Sequence, residues 1–118
     1  MKKKIKNIEK KQGRIIVRES DIVKTYLVDH KLENTLDPAL KESGKVYVVT
    51  TNTLDNIRSL INRWEDVKNQ NNLVIIFTNV EENCSWHLNP RIHGFITDEN
   101  KLKDSLITLH ESIPESKG

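Results

Sequence analysis

Three runs of apolar and β-branched residues punctuate the chain, each bounded by turn formers: RIIVR (14–18), KVYVVT (45–50) and NLVIIFTN (72–79). The last two carry apolar side chains at successive positions rather than alternate ones, which is the pattern of strands that bury both faces. RIHGFIT (91–97) is a shorter fourth strand candidate, interrupted by Gly94.

Between these runs the apolar period lengthens to that of a helix. Leu54, Ile57, Leu60, Ile61, Trp64 and Val67 form one stripe, with Thr53 placed to cap it and Asp55 in its first turn. Leu102, Leu106, Leu109 and Ile113 form a second, opened by Asp98 and closed by Pro114. Ile22, Val23, Tyr26, Leu27 and His30 recur at helical spacing behind Ser20 and Asp21, predicting a helix over 20–31. DPALKESG predicts a short helix with Asp37 as cap, Pro38 at its first position and Gly44 just past its end.

Strand and helix thus alternate, and the expected fold is α/β: a small three-layer sandwich with a mainly parallel sheet of about four strands, flavodoxin-like or Rossmann-like. Residues 5–12 read either as half of a hairpin turning at Gln12-Gly13 or as an edge strand or charged arm, the latter preferred. The expected organisation is a basic arm or edge strand over 1–13, one α/β domain over 14–113 and a tail over 114–118.

Charge modifies this picture at one end. Lys2, Lys3, Lys4, Lys6, Lys10, Lys11 and Arg14 stand against Glu9 alone, a balance of +6, whereas the whole chain carries +2. The remainder is therefore mildly acidic, and a basic segment of this kind can reach toward nucleic acid or an acidic surface. The single cysteine, Cys84, leaves no internal disulfide, and no apolar run is long enough to span a membrane, so a soluble, cytoplasmic protein is expected. Twelve asparagines against one alanine look like compositional bias, and on that ground the asparagines are discounted as chemistry.

In an open parallel sheet, ligands bind beyond the carboxyl ends of the strands. VVTTNTLDN sets Thr51, Asn52 and Thr53 at such an end and at a helix N-terminus, and Asn79 ends the next strand, so these four are candidate ligand or anion contacts. The plain alternative is that Thr53 caps the helix and Asn52 shapes the turn. No glycine-rich phosphate motif accompanies them, and no cofactor is expected.

NCSWHLNPRIHGF (83–95) gathers the most versatile side chains. Cys84, His87 and His93 are a thiol and two imidazoles, suited to zinc or to thiol catalysis. Without a second, distant ligand pair no metal site is assigned, and the loop is equally explained as a connection anchored by Trp86 and stopped by Asn89-Pro90.

NLVIIFTN followed by GFITDENKLKDSLITL resembles the second half of response-regulator receiver domains over about 40 residues. The resemblance implies only a receiver-like shape. The acidic and lysine positions that phosphotransfer needs are occupied here by Thr50-Thr51 and Thr97-Asp98.

The expected function is a non-catalytic binding module that engages a protein partner or itself through the 80–91 loop and the outer face of a helix. Two alternatives remain open: a nucleic-acid-associated protein using the basic segment, with Trp86 or Tyr47 stacking on bases, and a small metal- or thiol-dependent enzyme centred on Cys84, His87 and His93.

Overall fold

A computed structural model describes the backbone of residues 5–11, 14–19, 22–42, 44–93 and 99–116, and the side chains of 24–42, 44–91 and 100–116. The strands are β1 (Ile5–Lys11), β2 (Arg14–Glu19), β3 (Ile22–Val28), β4 (Lys45–Thr51), β5 (Leu73–Asn79) and β6 (Cys84–Leu88). The helices are α1 (Glu33–Lys41), α2 (Leu54–Asn62), α3 (Trp64–Val67), α4 (Pro90–His93) and α5 (Glu99–Glu111).

All six strands form one sheet whose spatial order is the chain order. The centre is parallel: β3 pairs with β4, and β4 with β5, through crossovers that carry α1 and then α2 and α3. Antiparallel strands extend it on both sides, β1 and β2 as a hairpin leading into β3, and β6 folding back along β5. The α/β class and the parallel centre are as expected. A flavodoxin-like or Rossmann-like sheet contains a switch point at which successive strands begin to be added on the other side, and this sheet, whose spatial order is the chain order, has no such point.

The sequential order also decides the layering. Both crossovers step the same way across the sheet, so right-handed connections place α1 and α2 on the same side. Burial agrees: Val46, Val48 and Thr50 of β4 are buried while Tyr47 and Val49 are half-exposed, and Leu73, Ile75, Phe77 and Asn79 of β5 are buried while Val74, Ile76 and Thr78 are not. The buried set packs with Leu32, Leu36, Ile57, Leu60, Trp64, Val67, Leu102 and Leu106 in one core. Among the described residues the molecule therefore has two layers, not the expected three.

Three local expectations are corrected. The segment expected as a helix over 20–31 is strand β3, because β-branched and aromatic residues favour extended backbone: Thr25 and Leu27 are buried on the helix side, whereas Lys24 and Tyr26 lie on the other. The short helix expected to open at Pro38 begins earlier, at Glu33, and holds Pro38 inside. The Cys84–Leu88 segment, read as part of a loop, is strand β6, so the receiver-like order of strand then helix after β5 is not followed. The candidate strand over 91–97 opens in α4, and its residues 94–97, like Asp98, Ser20, Asp21, Gln12 and Gly13, lie outside the described residues.

The stripe over 54–67 is realised as α2 and α3, separated at Arg63. The Arg63 guanidinium donates to Asp37 Oδ1 at 2.7 Å and to Asp66 Oδ2 at 3.0 Å, which ties α1 to the α2–α3 junction. Its hydrogen bond, supported by its charge, holds the Asp37 carboxyl below the ordinary value of 3.8.

Candidate functional site

Two surfaces compete for the role: the rim at the carboxyl ends of β4 and β5, where a ligand was expected, and the face of the sheet opposite the helices.

At Asn52 and Asn79 the rim is crossed by the protein's own chain, while a cavity of about 340 Å³ lined by His30, Thr51, Thr53 and Asn56 stays open beside it. Asn52 is fully buried. Its Nδ2 donates to the carbonyls of His110 at 2.9 Å and Pro114 at 3.2 Å, and its Oδ1 accepts from Trp86 Nε1 at 2.8 Å and from His110 Nδ1 at 3.0 Å. With Nδ2 committed to carbonyls, Oδ1 faces both rings and the imidazole must carry its proton on Nδ1. Asn79 Nδ2 reaches the carbonyls of Pro114 and Glu115, and its Oδ1 accepts from the Glu82 amide. The amide of Ser116 returns a bond to the Asn52 carbonyl at 2.9 Å.

The segment after α5 is thus laced across the ends of β4 and β5. At the start of α2, Thr53 Oγ1 accepts from the Asn56 amide, the capping role considered above. The free Leu54 amide is met by Glu115 Oε1 at 3.2 Å, so a carboxylate of the same chain sits where an anion was expected. Thr51 Oγ1 donates to the His30 carbonyl. All four rim candidates, Thr51, Asn52, Thr53 and Asn79, have internal hydrogen-bonding roles.

Asn56 performs a similar service one layer in. Its Oδ1 accepts from the Leu32 amide and its Nδ2 donates to the carbonyls of His30 and Thr51, which fixes the β3–α1 connection against β4.

The cysteine–histidine set does not form such a cluster. Cys84 and His87 are three positions apart on β6, and alternation turns them to opposite faces. Cys84 is half-buried in a shallow depression beside Thr78, Asn79, Val80 and Asn83, whereas His87 is exposed opposite Ile76. His93 lies on α4, and its side chain is outside the described residues. Among the described residues no three histidine, cysteine or acidic side chains come together as metal ligands. Asn83 turns β5 into β6 with φ 51°, a left-handed conformation that asparagine tolerates. Trp86 is buried, stacked on Phe77 with ring centroids 4.3 Å apart, and so faces the core rather than a partner or a base.

Of the basic segment, Lys6, Lys10 and Lys11 stand on β1 and Arg14 on β2, so this part is paired strand. Lys2, Lys3 and Lys4 lie outside the described residues.

The open face is the surface that sequence reasoning missed. Tyr26 of β3 and Tyr47 of β4 stack across the parallel pair with centroids 4.9 Å apart, and Lys24 and Lys45 place their ammonium groups 5.9 and 5.8 Å from the Tyr47 ring centre. Val28, Val49, Val74 and Ile76 continue the apolar surface, and His87 stands at its β6 margin. The signal was present in the unbroken apolar character of β4 and β5.

Compared with known proteins, the chain matches no family model, no curated protein and no solved structure. No helix among the described residues is long and apolar enough to cross a membrane.

Proposed function

We propose that this chain is a non-catalytic interaction module whose binding surface is the open face of its sheet. One observation carries the reading: β4 and β5 are apolar on both faces, yet the described helices cover only one. A strand that meets water on one side ordinarily alternates apolar with polar residues. Here the second face keeps Tyr26, Tyr47, Val49, Val74 and Ile76, and a contiguous apolar surface of that kind marks a site of association. Aromatic residues at the centre with lysine, threonine and histidine at the margins match the make-up of protein contact surfaces.

The rim supports the same reading in that Thr51, Asn52, Thr53 and Asn79 all have internal hydrogen-bonding roles, and Cys84 and His87 face opposite sides of β6 and do not form a thiol–imidazole pair. A photo-activated cross-linker replacing Tyr47 tests the surface inside cells. Adducts are expected from position 47 and not from Glu65, an exposed residue of α3 on the helix side. Equal labelling from both positions, or none from either, overturns the proposal.

A further inference from the structure

Resting on that reading, we infer that the open face is covered by a second copy of this chain, packed sheet to sheet about a two-fold axis. An isologous contact needs a patch that complements itself. The Tyr26–Tyr47 stack joins the third and fourth of six strands and so lies on the midline of the sheet.

Size agrees. Six strands spaced about 4.8 Å apart and about 20 Å long present a corrugated face of roughly 600 Å² in projection. Stable pairs bury about 800 Å² of accessible surface per partner, and a pleated face exposes more surface than its projection.

Charge selects the orientation. Lys24 and Lys45 are register partners at one end of the face, and Val28 and Val49 form the corresponding pair toward the other end. An axis running along the strands would set lysines against lysines. An axis between the sheets and perpendicular to the strands sets each lysine pair over the valines of the other copy. That separates like charges by about 13 Å along the strand and lets the lysine stems cover apolar surface. A polyanion fits less well, because the middle of the face offers tyrosine, valine and isoleucine rather than a line of cations.

Sedimentation of the full chain over a concentration series tests the inference. The wild type is expected to form dimers, and both Ile76→Glu and Tyr47→Glu are expected to weaken them at least tenfold while circular dichroism confirms an unchanged fold. In a Cys84→Ser background, Tyr47→Cys, close to the axis, should oxidise to a covalent dimer, and Lys24→Cys should not. A wild type that stays monomeric at high micromolar concentration overturns the inference, as does a dimer indifferent to both glutamates. If that monomer still cross-links to another protein, or binds a single-stranded oligonucleotide in a Tyr47-dependent way, the open-face reading survives and only self-association fails. If it does neither, both fall.

Discussion

Replacing Asn52 with alanine should be among the most damaging single substitutions in this fold. The side chain is fully buried, and its loss strips Trp86 Nε1 and His110 Nδ1 of their shared acceptor while both rings stay buried. A buried donor left without a partner costs about 1–3 kcal/mol, and the carbonyls of His110 and Pro114 lose a donor as well. Together these give a loss of about 3–5 kcal/mol, a large share of the roughly 5–15 kcal/mol by which a domain is stable.

For a chain of 118 residues the unfolding entropy is about 0.25 kcal/mol/K, so Tm should fall by roughly 12–20 °C. Thermal unfolding followed by far-ultraviolet circular dichroism checks this, at one fixed low concentration so that self-association does not contribute. Trp86→Phe isolates one donor, and the double variant with Asn52→Ala should be less destabilised than the sum of the single variants by about 1 kcal/mol. A loss below about 1 kcal/mol for Asn52→Ala, or strict additivity, would refute the shared-acceptor argument.

Other outcomes follow from the same structure. Trp64 Nε1 is buried without a hydrogen-bond partner among the described residues, so Trp64→Phe should cost about 1 kcal/mol less than Trp86→Phe in urea unfolding, since only the latter breaks a bond. Glu115→Ala removes the carboxylate at the start of α2 and should lower stability by about 0.3–1 kcal/mol, with the effect shrinking in high salt. Asp37 titrates lower in the folded protein than in the unfolded chain, so its pairing with Arg63 stabilises above pH 3.8 and is lost as the pH falls through the lower folded value. Asp37→Asn should therefore flatten the acid limb of the stability curve and leave its neutral limb almost level.

The parallel centre was legible because uninterrupted apolar runs and helical stripes separate cleanly in KVYVVT, NLVIIFTN and the residues between them. β3 was misread because Ile22, Val23, Tyr26 and Leu27 satisfy helical spacing and equally suit a strand with apolar residues on both faces, and only pairing with β2 and β4 decides between them. The rim residues were named for their position, yet Asn52 and Asn79 act through a tail 62 and 35 residues further on at Pro114, which no local pattern announces. Discounting asparagines as compositional bias failed for a related reason: Asn52, Asn56, Asn72 and Asn79 each bind backbone groups distant in sequence. The open face was misread in the opposite sense. The apolar signal was correct, but it was attributed to a second helical layer that the described residues do not supply.

Because strand order follows chain order, each strand can dock on the edge left by the one before it, and the sheet can grow in the direction of synthesis. The bonds from Asn52 and Asn79 to Pro114 obey a different schedule, closing only when the final turn of α5 and the residues beyond it are available. A chain halted before that point would carry an assembled sheet with Trp86 Nε1 and Asn52 paired but the latch undone. Completion of folding would then be timed by the arrival of residues 110–116 rather than by the core.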